Sequence, residues 1–200
     1  MDWAPLTELI FPSRCLGCGV LGISICTRCR PQWNPHIYRK AIEGLTIYSS
    51  IHYSSVAQKV VLAAKEGGLH QADQLVVEAL LRSLTYFRKE RGEGVLVPIP
   101  SRKDAVRKRG RSFIEVITSE IDYPFSHSLS ISRRIRDHST LSHDQRFKNI
   151  NGAFSANHYV SGDVILIDDI VTSGSTLLEA RRAFRRRGIK VKGAITACMA

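Results

Sequence analysis

The chain has 200 residues, 44% of them apolar, which is enough for one mid-sized domain with a real core and a small appendage. Twenty-nine Lys and Arg against 18 Asp and Glu give a formal charge of +11, favouring phosphates, nucleic acid or anionic lipid as partners without choosing among them. No stretch approaches the ~20 apolar residues of a membrane span, and MDWAPLTELIFPSRC lacks a positive region followed by an apolar run, so membrane insertion and a signal peptide are not expected.

A reducing cytoplasm is the expected location, and there cysteines in pairs point to metal before disulfides. CLGCGVLGISICTRC spaces Cys15, Cys18, Cys26 and Cys29 as C-x2-C-x7-C-x2-C. That pattern predicts two knuckles around a structural Zn²⁺, with iron in the same cage as the alternative. A redox C-x-x-C would need only one pair, and disulfides would suit export. Pro31 and Pro35 mark a boundary, so residues 1–35 read as a zinc-binding module behind a short helix containing Trp3, Leu6, Leu9 and Ile10, and 36–200 as a second domain. Cys198, in a predicted strand, is a buried small hydrophobe and not a ligand.

Residues 42–53 read as extended. Ser54 or Ser55 caps a helix carrying Val56, Val60, Val61 and Ala64, closed by Gly67-Gly68. The spacing of Leu75, Val76, Ala79, Leu80, Leu84 and Phe87 predicts a second helix over about 71–90. Strand GVLVPIP (94–100) runs into a basic loop, 101–111, with six basic residues to one acid, and a helix starts near 112. SHSLSIS (126–132) is a strand. Segment 133–152 lacks periodicity and reads as a long functional loop. VILI (164–167) is a fully buried strand, a helix runs from Ser175 to Gly188, and IKVKGAITACM supplies the last strand. Segment 181–192 adds seven basic residues to no acid. Alternating strands and helices predict an α/β fold with a mainly parallel sheet flanked by helices.

VILIDDIVTSGST is the most informative run. Ligands of parallel sheets sit at the carboxyl ends of strands, where Asp168 and Asp169 stand. Gly174 allows a tight cup of backbone N–H groups, the following helix adds its positive pole, and Thr172, Ser173, Ser175 and Thr176 add hydroxyls. The loop is built for a phosphate; the acids suit hydroxyls or water on a divalent cation. A ribose 5-phosphate group carries both. The chain has no Gly-Lys pair for a P-loop and no G-x-G-x-x-G.

This run resembles the phosphoribosyl pyrophosphate (PRPP) signature of type I phosphoribosyltransferases. The wider chain resembles the ComF/GntX competence-associated family in its CxxC pairs, VVLAAKEGG, VPIPSRKDAVRKRGRS, DQRFKNINGAF and the PRPP loop. The resemblance implies a phosphoribosyltransferase fold that binds PRPP with Mg²⁺ and transfers phosphoribose to a nitrogen acceptor. Asp168 and Asp169 would bind the ribose hydroxyls, and Ile170, Val171 and the TSGST residues Thr172 to Thr176 the 5-phosphate. Ser101, Arg102 and Lys103, with Arg107 and Arg109 behind them, are the pyrophosphate candidates; with the two acids, Arg102 and Lys103 are the catalytic candidates. Arg133, Arg134, Arg136 and Arg146 are available on the lid loop. Two motifs depart from the family: RGFNQ is here Arg109-Gly110-Arg111-Ser112-Phe113, and T-x-x-Q-S-x-L is Arg136 to Leu141. The resemblance also implies an alternative role in natural transformation, handling single-stranded DNA beside a competence helicase-type protein, with Arg185 to Arg187 as the basic face.

Overall fold

The computed structural model describes residues 13–132, 150–157 and 159–200. The helix expected around Trp3 to Ile10 and the lid arginines Arg133, Arg134, Arg136 and Arg146 lie outside the described residues.

Among the described residues, seven strands and five α-helices follow in the order β1 (Tyr38–Ile42), β2 (Leu45–His52), α1 (Ser55–Lys65), α2 (His70–Arg91), β3 (Val95–Pro98), α3 (Lys103–Arg109), α4 (Phe113–Ser119), β4 (Leu129–Ile131), β5 (Phe154–Ala156), β6 (Val164–Val171), α5 (Ser175–Arg185) and β7 (Val191–Met199). The main sheet has the order β1-β2-β7-β6-β3, and all its pairings are parallel except β1 with β2. β4 and β5 form a separate antiparallel pair. The expected mainly parallel α/β architecture is present.

Pleat and burial explain the layers. Val164 and Leu166 enter one buried cluster with α5 residues Leu177, Ala180 and Phe184; Ile165 and Ile167 enter the other with α1, α2 and α4. A strand apolar on both sides must be covered on both sides, and β6 is. Ser54 caps α1 by accepting the Ala57 N–H at 3.0 Å, and Val56, Val60, Val61 and Ala64 form its buried stripe.

Three details differ from the sequence reading. The extended run around 42–53 is a hairpin, turned by Glu43 and Gly44 with φ of 47° and 78°, so β1 becomes an edge strand. The basic stretch read as a loop contains helix α3, which buries no side chain; KDAVRKR has good helix formers but no apolar stripe to announce them. Strand β6 runs on through both acids to Val171, with Asp168 opposite Thr196 of β7.

The cysteine-rich segment packs directly on this body. Cys15, Ile25, Cys29 and Trp33 belong to the same buried cluster as Val56, Val60 and Val76. Lys59 Nζ donates to the Gly17 carbonyl at 2.6 Å, and Gln71 Nε2 to Ser24 Oγ at 2.6 Å.

Candidate active site and metal centre

The two acids at the end of β6 have different surroundings. Asp169 is 6% exposed and meets Lys65 Nζ, from the last turn of α1, at 2.5 Å. Asp168 is less buried and lines both adjoining cavities described below. Their backbones are tied: the Asp169 N–H donates to Asp168 Oδ1 at 2.9 Å and the Ile170 N–H to Asp169 Oδ1 at 3.0 Å. Burial and the charge of Asp169 push the Asp168 carboxyl well above the usual carboxylate range. Burial works the same way on Asp169, but the Lys65 ammonium overrides it and holds that carboxyl low. Burial would discharge Lys65; the two carboxylates prevail and raise its pKa.

After Val171 the chain turns into α5. Asp168, Ile170, Val171, Thr172, Ser173, Gly174, Ser175, Thr176 and Leu177 enclose a cup of about 160 Å³. Ser173 Oγ lies 3.1 Å from Ser175 Oγ and accepts the Ser175 N–H at 3.4 Å. Gly174 precedes α5 with φ of 75°, and a Cβ there would stand 2.6 Å from Ile42 Cδ1 of β1. The left-handed backbone favours glycine, while the crowding falls on the far end of the Ile42 side chain, which can turn aside. Gly174→Ala is expected to cost about 1–3 kcal/mol, measured by urea denaturation, and to distort the cup. Lys40 Nζ, also from β1, donates to the Thr172 carbonyl at 3.2 Å.

The cup opens beside a cleft of about 290 Å³ between the end of β3 and the end of β6, walled by Ser101, Arg102, Arg109, Lys65, Asp168 and Asp169 among others. Ser101 and Arg102 therefore line the same cleft as the two acids. Lys103 does not: it is exposed in the first turn of α3 and absent from the cleft wall. Arg107 is exposed on the same helix. Arg109 lines the cleft but is bound to Glu66 at 2.6 Å. Arg111 forks onto the buried Asp73 at 2.7 and 2.8 Å and donates to the Ala64 carbonyl, so one of the departures from RGFNQ serves a structural clamp.

Lys65, the lysine of the VVLAAKEGG run that carries part of the family resemblance, receives no role of its own from the sequence. Its signal was faint: one lysine closing an otherwise apolar helix face.

Among the described residues, Cys15, Cys18, Cys26 and Cys29 form a group with sulfur atoms all within 4.8 Å of one another. A tetrahedral ion with Zn–S bonds of ~2.3 Å needs sulfurs about 3.8 Å apart. Cys18 and Cys26 already stand at 3.6 Å. Backbone N–H groups of Cys26, Cys18 and Gly17 aim at the Cys15 sulfur and outweigh its burial, lowering its pKa to about 6. Cys29, buried against the other three sulfurs, is pushed up to about 12. A cation among four thiolates removes that conflict, so the donor set fits zinc in a closed structural site. Cys198 lies apart, buried in β7, where burial and the Asp169 charge raise its pKa to about 12.

Residues 105–200 match the family model described as the phosphoribosyl transferase domain. The match takes in the acids, the cup, Arg109 and Arg111, and begins after Ser101, Arg102, Lys65 and the four clustered cysteines. No curated protein matches the chain.

Proposed function

We propose that the chain binds PRPP with Mg²⁺ across the cleft and cup and transfers its phosphoribosyl group to a nitrogen acceptor. The observation that carries this reading is that the two cavities share Asp168, Ile170 and Thr176 as walls. Phosphate cup, carboxylate and cation-lined cleft then follow the order of 5-phosphate, ribose hydroxyls and pyrophosphate along the ligand.

The residues act by position. Backbone N–H groups and hydroxyls from Thr172 to Thr176 would anchor the 5-phosphate, with α5 lending its positive pole. Asp168 takes one backbone N–H on Oδ1 and keeps acceptor capacity for a ribose hydroxyl or a metal-bound water. As the C1–pyrophosphate bond breaks, negative charge grows on the leaving group, where Ser101 and Arg102 stand. Mg²⁺ bound with PRPP would supply further neutralisation of that charge.

Melting the protein with and without PRPP, each with and without Mg²⁺, tests the reading. Ligand at a hundred times its Kd should stabilise the fold by ~2.7 kcal/mol when Mg²⁺ is present. A flat response in both conditions would remove it.

The DNA-handling alternative would rest on Arg185, Arg186 and Arg187, which are exposed at the end of α5. Phe184 beside them is fully buried, so this face offers cations without the stacking aromatics that single-strand platforms use. The PRPP reading is the better supported.

A further inference from the structure

The end of α1 and the residue after it, Ala64, Lys65 and Glu66, are gripped separately. Arg111 holds the Ala64 carbonyl while its fork rests on Asp73, and Arg109 holds Glu66 at 2.6 Å. The two arginines flank Gly110, whose left-handed conformation (φ 76°) ends α3 and turns both side chains toward α1. Between these grips Lys65 crosses to Asp169 at 2.5 Å.

The Lys65 side chain keeps 31% of its surface and lines the cleft, together with Ser101, Arg102 and Arg109, but not the cup. An ammonium has three donors, and Asp169 takes one of them. The remaining donors sit on a backbone fixed from both sides, so little ordering entropy is lost when a ligand arrives.

We propose that Lys65 is a substrate-positioning cation that contacts the pyrophosphate end of PRPP, with Arg109 and Arg111 as the positioning residues that hold it in place. This rests on the PRPP reading above. Its signature is selectivity between ligands: ribose 5-phosphate fills the cup and reaches only the acids at the edge of the cleft, whereas PRPP also extends a pyrophosphate toward Lys65.

Calorimetric titration of wild type, Lys65→Met and Lys65→Gln with each ligand in Mg²⁺ reads that signature. Loss of a charged donor should weaken PRPP ~10–100-fold. Ribose 5-phosphate, which meets the acid beside Lys65 but has no pyrophosphate for the lysine itself, should weaken several-fold at most, which also reports an intact cup. Lys65→Gln keeps a donor for Asp169 and serves if the Met variant does not fold. Arg111→Lys, which loses the fork but keeps the charge, should show a smaller drop of the same selectivity. Equal weakening of both ligands, or of neither, in the Lys65 variants would overturn the proposal while leaving PRPP binding standing. Wild-type protein that binds neither ligand would remove the PRPP reading itself.

Discussion

Asp169→Asn should lower the stability of the free protein and Asp168→Asn should raise it, although each weakens PRPP binding by ~10²-fold or more, the cost of one well-placed group in such a site. The opposite signs follow from the surroundings of the two carboxyls. Asp169 is the partner of Lys65, and neutralising it strands a largely buried ammonium. Breaking such a pair costs about 3–5 kcal/mol when fully buried; with nearly a third of the Lys65 side chain open to solvent, about 2–3 kcal/mol is expected. Asp168 has burial and its neighbour's charge against it, so an amide of the same shape relieves both and should be mildly stabilising.

The pH dependence separates them further. The Asp169 carboxyl is held low, so its contribution is present above the ordinary carboxylate range and is lost as pH falls through its depressed value. The Asp168 carboxyl is raised, so its protonated form stabilises below the ordinary range and that contribution is lost as pH rises through the elevated value. Wild type and Asp168→Asn should therefore converge in acid and diverge toward neutral pH. Urea denaturation at several pH values measures this; an Asp168→Asn protein less stable than wild type at neutral pH would contradict the electrostatic account.

Metal removal should have a larger effect on the fold. Cys15, Ile25, Cys29 and Trp33 are part of the cluster that covers α1 and α2, and Lys59 of α1 bonds to the first knuckle. Releasing the ion leaves four sulfurs within 4.8 Å and a wall of that core without its fastening. A loss above about 4 kcal/mol is expected for Cys15→Ser/Cys29→Ser, enough to stop folded protein accumulating. Elemental analysis should find one zinc per chain, and visible absorption would instead mark iron. A cooperative melt unchanged after exhaustive chelation would refute the structural role.

What the sequence disclosed and what it hid divide along range. The β6 strand, the acids and the cup lie within VILIDDIVTSGST, and each residue type there has a local reason to be present. The cysteine spacing is equally local. Lys65 was hidden because its meaning depends on Asp169, 104 positions away, and on arginines from a third element. Arg109 and Arg111 looked like two members of a basic run; only the Gly110 turn shows that one serves Glu66 and the other Asp73. Strand β5 is three residues long, too short for alternation to register.

The strand order has a consequence for biogenesis. Ser49 in β2 shares a hydrogen bond with Thr196 in β7, 147 positions later, so a nascent chain exposes β2 long before its parallel neighbour leaves the ribosome. Closing so long a loop is slow, and the waiting edge invites association with other chains. Metal capture by the early cysteines, together with α1 and α2, would cover one face of β2 in the growing polypeptide, leaving only its hydrogen-bonding edge to wait for β7.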